Sequence, residues 1–177
     1  MPDAGPDAKP DAWVEPVVAT IEPVEVGRVE ICDATHLTWG PEGEYVTMQQ
    51  SMQDGFVTYD VSYRGQPADV FLFDLQTCTE YQLTPQNALD DATPSLWNGR
   101  IVYSAALPEE EWVVSASQLM EFDLATLGLR KLSPWASGIA PRQNSRYVVF
   151  RRFAIDSGIF DLVLHDRWTD QQTVLAD

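Results

Sequence analysis

The chain has 177 residues, 45% of them hydrophobic and 11% aromatic, which is enough to bury the core of one globular domain. Acidic residues outnumber basic ones by 27 to 11, and the resulting formal charge of -16 disfavours binding to nucleic acids and to anionic membrane surfaces. The same charge favours solubility and is compatible with a cationic partner. No run approaches the roughly 18 apolar residues of a membrane span, so we predict no transmembrane segment.

The N-terminal leader, residues 1–12, repeats Pro-Asp-Ala every four positions. Proline removes a backbone donor, aspartate adds repulsion, and little apolar surface offsets the entropy of ordering, so we predict a disordered, extended spacer. The repeat resembles the linkers that follow the lipid-bearing cysteine of bacterial surface lipoproteins. That resemblance implies a lipid tether upstream of Met1 and an extracytoplasmic location, in the periplasm or at the cell surface. The leader contains no signal peptide, and a disordered N-terminus without a targeting role is the alternative.

Residues 13–177 are predicted to form one domain, which begins with a weakly matching segment. Two prolines within residues 13–38 exclude a helix there and favour edge strands. Residues 32–38 match residues 78–84 at an offset of 46 positions. We therefore predict that residues 13–38 form a partial repeat unit.

The strongest signal in the chain is the pattern D-x-x-T-x5-L, which starts at Asp74, Asp123 and Asp166, at intervals of 49 and 43 residues. Each copy follows an apolar run. Asp and Thr side chains hydrogen-bond nearby backbone groups, which suits them to a turn. An active site is generally built once, whereas a turn recurs in every unit, so we assign these carboxylates a structural role.

A second landmark keeps step with the first. Asp54-Gly55, Asn98-Gly99 and Asn144-Ser145 recur at intervals of 44 and 46 residues, each before a β-rich run. Asp-Gly and Asn-Gly supply the positive φ angles of two-residue hairpins, so Gly55 and Gly99 are predicted to be structural turn residues. Each unit then reads as four antiparallel strands, and the predicted units are residues 45–84, 92–133 and 138–175.

Four strands that repeat about every 46 residues are typical of β-propeller blades. We predict an all-β fold, a β-propeller of four-stranded antiparallel blades with about 3.5 blades in this chain. Residues 69–84 and 94–105 resemble the blade repeat of TolB-type propeller proteins, which serve as binding platforms, peptidase domains or lyases. Either residues 13–38 complete a four-bladed ring, or the ring is incomplete and the chain is a fragment; we favour the fragment.

No nucleophile elbow, H-E-x-x-H or P-loop pattern occurs, so we predict no catalytic residue, cofactor or metal site. His165 replaces a phenylalanine of the sister units and is predicted to be a packing residue, and His36 is predicted to face solvent. Cys32 and Cys78 are matched positions of successive units, beyond the roughly 7 Å Cα separation that a disulfide allows. We expect two free, half-buried thiols if both lie in the ring, whereas a bond between them would show that residues 24–38 pack somewhere other than the preceding blade.

The variable loops are the predicted binding surface, since function tends to lie on loops of a rigid scaffold. Aromatic and arginine side chains are favoured at binding hot spots, and the candidates are Tyr63, Arg64, Glu110, Trp112, Trp135, Arg151 and Arg152. The leading hypothesis is a non-catalytic extracytoplasmic module that recognises a protein or peptide. One alternative is the propeller part of a carbohydrate-active enzyme or of a peptidase whose catalytic residues lie outside this chain. A purely structural surface protein is the other alternative.

Overall fold

The fold is built from antiparallel strands alone in the part of the chain that the structure describes. The computed structural model describes residues 19–28, 45–46, 50–63, 67–84, 89–106, 117–132, 139–154 and 158–176. These ranges form 15 β-strands and no helix. The strands are arranged in three separate sheets.

Each sheet is built on four strands that follow one another along the chain. In the first sheet the inner strand is divided in two, and the strands are β3 (Tyr45–Val46), β4 (Gln50–Gln53), β5 (Phe56–Tyr63), β6 (Ala68–Asp74) and β7 (Thr79–Gln82). The second sheet contains β8 (Asp90–Trp97), β9 (Arg100–Ala106), β10 (Gln118–Asp123) and β11 (Gly128–Lys131). The third contains β12 (Ile139–Gln143), β13 (Tyr147–Ala154), β14 (Ile159–Asp166) and β15 (Gln171–Ala176). The predicted all-β class of four-stranded antiparallel units is confirmed.

The N-terminal segment adds a fifth strand to two of these sheets. β1 (Ala19–Thr20) pairs with β11 at the outer edge of the second sheet, and β2 (Val24–Arg28) pairs with β7 at the outer edge of the first. The described strands of residues 13–38 thus extend two later sheets, whereas a partial unit ahead of them was expected. The leader and the end of this segment lie outside the described residues.

Two apolar cores join the three sheets. The first and second sheets meet in a cluster that includes Val70, Leu72, Ile101 and Phe122. The second and third sheets meet in a smaller cluster of Val102, Leu119, Leu132, Val148, Phe150 and Val163. Alternate residues of the middle strands therefore face opposite neighbours, as the period of two in a strand requires. The second sheet is the centre of the described structure.

Two kinds of turn lie together at one end of every sheet, which we name the turn end. Asp54 and Asn98 have φ of 53° and 46°, and the glycines that follow them have φ of 84° and 73°, the left-handed pair of a type I′ hairpin. The third hairpin has the same length, since the Asn144 N–H donates to the Tyr147 carbonyl and Tyr147 pairs with Asp166 as Arg100 pairs with Asp123, but its two turn residues are Ser145 and Arg146. Its Asn144 Oδ1 instead accepts from the backbone N–H groups of Arg146 and Tyr147, at 2.9 and 2.8 Å.

The three repeated aspartates hold the second kind of turn. Asp74 Oδ1 accepts from the Gln76 N–H at 2.8 Å, Asp123 Oδ1 from the Ala125 N–H at 2.9 Å, and Asp166 Oδ1 from the Trp168 N–H at 2.9 Å. The residue after each aspartate donates its N–H to a hairpin carbonyl, as in Leu75 to Gly55, Leu124 to Gly99 and Arg167 to Arg146. These bonds tie the two turns of each sheet together.

The expectation of two free thiols is wrong, because Cys78 is disulfide-bonded. The physical reason is the placement of β2, which lies beside β7 in the same sheet and ends with Arg28 opposite Thr79, the residue after Cys78. The argument for free thiols assumed that this segment belonged to a preceding unit. Cys32, the other cysteine of the sequence, lies outside the described residues.

Candidate functional site

A cleft opens at the turn end between the second and third sheets. Its volume is about 190 Å³, and we name it the interblade cleft after its lining residues, Trp97, Asn98, Arg100, Ser145, Arg167 and Trp168. The lining combines two indole rings, two guanidinium groups, an amide and a hydroxyl, with no carboxylate among them. The cleft can therefore offer ring stacking and hydrogen-bond donors to a ligand.

The wall from the second sheet is positioned by the β8–β9 hairpin. Trp97 and Arg100 are cross-strand partners on either side of Asn98 and Gly99, so the tight turn places an indole and a guanidinium side by side. Trp97 is 38% exposed. The Arg100 side chain is 35% exposed, and its Nε lies 3.5 Å from Asp123 Oδ2. This wall presents an aromatic surface beside an accessible, partly neutralised cation.

The wall from the third sheet is held by a second arginine. Arg146 Nη2 donates to Asp166 Oδ2 at 2.7 Å, and its guanidinium carbon lies 4.6 Å from the centre of the Trp168 ring and 5.0 Å from that of Tyr147. The bond from Arg146 is the main reason that the pKa of Asp166 is lowered from its usual range. Cation–π contacts of this kind fix the orientation of the ring, so Trp168 has a supported position in the wall.

The floor is a buried charged group that joins the two sheets. Arg167, 1% exposed, donates from Nη2 to Glu121 Oε2 at 2.5 Å. Glu121 is 2% exposed, and its Oε1 accepts from Arg130 Nε at 2.8 Å and Nη2 at 2.5 Å. We name Glu121, Arg130 and Arg167 the salt-bridge cluster. Burial lowers the pKa of Arg167 from its ordinary value, and the charge of Glu121 acts against that shift.

Gln143 of β12 completes the contact between the sheets. Its Nε2 donates to the carbonyl oxygens of Ser95 and Arg100, the latter at 2.9 Å, and its Oε1 accepts from Arg167. A second Arg167 bond runs to the carbonyl of Asn144. The Nε of Arg167 is buried and has no hydrogen-bond partner within the described ranges. The floor is thus held by polar contacts, which fix the relative position of the two walls.

Two members of the salt-bridge cluster, Glu121 and Arg167, occupy positions that are leucine in the other units, and the sequence prediction did not include them. Glu121 stands where the sister units have Leu72 and Leu164, one residue before the Phe or His that precedes the turn aspartate. Arg167 stands where they have Leu75 and Leu124. The sequence does mark the two residues, because each places a charge at a repeat position that is otherwise leucine. Since the two charges are opposite and lie in neighbouring units, they indicate an ion pair.

The predicted binding residues are not brought together by the described structure. Arg64, Glu110, Trp112 and Trp135 lie outside the described residues, and Tyr63 ends β5 with a side chain that is also outside them. Arg151 and Arg152 were expected in a variable loop, but the structure places both within β13.

Both of these arginines already have partners in the third sheet. The Arg151 guanidinium carbon lies 4.3 Å from the Phe160 ring centre, and Arg152 Nη2 donates to Asp161 Oδ2 at 2.7 Å. The difference arises because β13 continues as a strand to Ala154, so that both arginines lie within the sheet.

His165 lies behind the floor of the interblade cleft. It is 1% exposed, and both ring nitrogens are buried without a hydrogen-bond partner within the described ranges. Its Nε2 lies 3.7 Å from Asp170 Oδ1. Burial lowers the pKa of His165, with Asp170 acting in the opposite direction. In these positions the ring is a packing group between charged neighbours.

Two general features of the described residues bear on the site. Over the ranges that the structure describes, no three His, Cys, Asp or Glu side chains converge as metal ligands would. In the same ranges there is no helix of the length and apolarity needed to cross a bilayer.

The chain is similar to solved β-propeller structures. It matches TolB from Acinetobacter baumannii with 16% identity and a TM-score of 0.57, over 74% of this chain and 32% of that protein. It matches the β-propeller domain of the Trilobed protease from Pyrococcus furiosus with 14% identity and a TM-score of 0.56, over 75% of this chain and 43% of that one. A putative TolB from Agrobacterium tumefaciens matches with 10% identity and a TM-score of 0.51, over 90% of this chain and 62% of that protein.

Sequence comparison adds nothing to these likenesses, because no family model and no curated protein sequence matches the chain. The chain spans about a third of the length of the Acinetobacter TolB. At such identities the likeness shows the fold alone. The propeller fold predicted from the repeat is confirmed, and the chain has a TolB-like β-propeller fold in which the three described sheets form part of an open ring.

Proposed function

We propose that the chain is a non-catalytic extracytoplasmic binding module that recognises a protein or peptide at the interblade cleft. The observation that carries this proposal is the pairing of exposed Trp97 with accessible Arg100 on a rigid hairpin, opposite Trp168 on the next sheet. Tryptophan and arginine are the residue types that dominate binding energy at protein interfaces.

The chemistry of the lining favours a peptide that carries an apolar or aromatic side chain next to an acceptor-rich backbone or a carboxylate. The indoles provide stacking surface at low entropic cost, since each has only two side-chain torsions. Arg100, Asn98 and Ser145 supply hydrogen bonds around them. Arg167 is buried beneath and contributes to the shape of the floor.

The disulfide supports the extracytoplasmic part of the proposal. Disulfides persist in oxidising compartments and are rare where thiols are kept reduced, and Cys78 is disulfide-bonded. The Pro-Asp-Ala leader is in keeping with a surface protein tethered upstream. The net charge of -16 would keep such a module soluble.

The proposal is tested with peptides selected from a random dodecapeptide display library on the immobilised chain. The selected peptides are titrated by fluorescence polarisation against the wild type and against Trp97→Ala, with Ile159→Ala as the control at an exposed apolar residue of the third sheet. We expect Trp97→Ala to weaken binding by about tenfold or more, since a hot-spot aromatic is worth about 2 kcal/mol, and Ile159→Ala to leave it unchanged. Equal affinities for all three proteins would overturn the proposal.

The alternative is that the chain is the propeller part of a peptidase or of a carbohydrate-active enzyme. One of the similar solved structures is the β-propeller domain of the Trilobed protease, and another is an acylaminoacyl peptidase. In that case the reacting groups would lie outside this chain, and the interblade cleft would have no ligand of its own. The peptide titration separates the two, because an enzyme's propeller part need not bind peptides through Trp97.

A further inference from the structure

The outer edge of the third sheet differs from those of the other two. In the first two sheets, the outermost strands of the four-stranded repeat are β7 and β11. Each of them pairs with a strand from the N-terminal segment. In the part of the chain that the structure describes, β15 has no such neighbour and pairs with β14 only. Residues 171–175 of β15 are all exposed, whereas Thr79 and Glu80 of β7 are buried.

The backbone of β15 is arranged to accept another strand. Antiparallel pairs alternate between residues whose N–H and C=O groups face the partner strand and residues whose groups face away. The Asp166↔Gln171 pair corresponds to Asp123↔Gly128 in the second sheet, where Leu129 faces away from β10 and pairs with Ala19 of β1. By the same register, Gln172 and Val174 direct their backbone groups outward from the sheet.

β15 has neither a charge nor a proline to protect its edge, and its one irregularity is a bulge at Leu175, near its end, between the Val163–Val174 and Leu162–Ala176 pairs. Natural edge strands are guarded by charges, prolines, bulges or short length. β2 carries Glu25 and Arg28 and a bulge, and β1 has two residues. β15 reads Gln-Gln-Thr-Val-Leu-Ala over six residues, and it is the longest described edge strand with neither a charge nor a proline.

An apolar surface accompanies this edge. Val174 is 46% exposed and Leu175 is 51% exposed. Leu175 is the closing Leu of the repeat, and its counterparts Leu83 and Leu132 are 1% and 7% exposed within the cores between the sheets. A strand added to β15 would therefore lie beside two exposed apolar side chains near the end of the edge.

We propose that β15 binds an extended segment of a partner protein, which adds to the third sheet as a fifth, antiparallel strand. The partner segment is uncharged, free of proline over its paired residues, and rich in β-branched or aromatic side chains, which suit a half-buried strand. The chain itself contains the precedent, since β1 and β2 occupy the corresponding edges of the other two sheets in this way. This surface is separate from the interblade cleft, and the proposal for β15 does not depend on the function proposed for the cleft.

The test uses a chain whose cleft is disabled, so that failure of the cleft and failure of the edge can be told apart. Dodecapeptides are selected on Trp97→Ala and then titrated against Trp97→Ala alone and against the same protein with Val174→Pro. Proline removes an outward N–H and obstructs the added strand, while the bonds to β14 remain. We expect affinity to fall by about tenfold or more, as for the loss of one or two net hydrogen bonds and their packing.

Two matched substitutions keep the test decisive if Val174→Pro unfolds the protein. Val174→Lys and Val26→Lys place the same charge at valines that are 46% and 52% exposed. We expect only Val174→Lys to weaken the selected peptides. The proposal would be overturned if no peptide were selected on Trp97→Ala, or if Val174→Lys and Val26→Lys bound the selected peptides with equal affinity. It would also be overturned if light scattering showed a dimer that Val174→Lys converts to a monomer, because a second copy of the chain would then occupy the edge.

Discussion

Arg167 and Glu121 form a buried ion pair between different sheets, with Nη2 and Oε2 separated by 2.5 Å and exposures of 1% and 2%. Each stands at a repeat position that is leucine elsewhere in the chain. A buried pair that replaces apolar residues gains little stability over them, but removal of one member leaves an uncompensated charge. The pair thus makes the contact between the second and third sheets, and with it the shape of the interblade cleft, depend on both residues together.

The salt-bridge cluster should show strong coupling between its members. We expect Glu121→Leu to lower the free energy of unfolding by about 3–5 kcal/mol, because Arg130 and Arg167 would then be buried beside an apolar side chain. Glu121→Leu combined with Arg167→Leu restores the leucines of the sister units, so the double variant should be more stable than the sum of the single effects allows. Urea denaturation of the wild type, the two single variants and the double variant measures the coupling free energy. Strictly additive losses of unfolding free energy would show that Glu121 and Arg167 do not depend on each other.

The turn aspartates should stabilise through backbone hydrogen bonds and not through their charge. Asp123→Ala removes the acceptor of the Ala125 and Thr126 N–H groups and should cost about 1–2 kcal/mol. Asp123→Asn keeps an Oδ1 acceptor and loses the charge facing Arg100, so it should retain most of that stability. Chemical denaturation decides between the two roles. Equal losses for Asp123→Ala and Asp123→Asn would assign the effect to the ion pair.

His165 should make the protein less stable in mild acid. Its folded-state pKa lies below the ordinary value of 6.5, chiefly because burial disfavours the charged ring and also because Arg130 and Arg167 are near, while Asp170 and Glu121 act in the opposite direction. As pH falls, the unfolded chain therefore binds a proton at a higher pH than the folded chain does. The stability that depends on a neutral ring is complete above the pKa of His165 in the unfolded chain, and it is lost as pH falls through the pKa of His165 in the folded chain.

A His165→Phe variant isolates this effect, because phenylalanine occupies the position in the sister units. Between about pH 7.5 and pH 5, where ordinary carboxylates stay ionised, the wild type should lose more unfolding free energy than His165→Phe. Urea midpoints at the two pH values give the comparison. Identical losses would show that His165 does not titrate in this range.

The disulfide of Cys78 should join it to Cys32, the other cysteine in the sequence. A non-reducing peptide map should contain one cross-linked fragment with both residues, which reduction separates. Because the bond would close a loop of about 46 residues, the reduced protein should be less stable by about 2–4 kcal/mol. A free thiol titre of two per chain would contradict the structure.

The repeat could be read from the sequence because its signals are local. The turn aspartates and the Asp-Gly and Asn-Gly hairpins bond to their own or adjacent residues, so their spacing predicts the sheets. The placement of β2 beside β7 could not be predicted in this way, since strand pairing between distant segments leaves no local mark. That one pairing also decides the state of Cys78.

The interblade cleft was missed for a related reason. Trp97 and Trp168 are 71 positions apart, and each belongs to a tight turn that looks purely structural in isolation. The binding residues were sought in variable loops, by analogy with other scaffolds. What indicates the site is the departure from the repeat at Glu121 and Arg167, which becomes interpretable only when two units are compared position by position.

The central claim is that the boundary between the second and third sheets, at the turn end, is a recognition site. Its most direct test is amide hydrogen exchange, measured on the chain with and without a selected peptide bound. The account predicts increased protection at Trp97 to Arg100 and at Arg167 to Trp168, with the first sheet unchanged. Protection confined to the first sheet or to the opposite ends of the strands, with these turns exchanging as in the free protein, would contradict it.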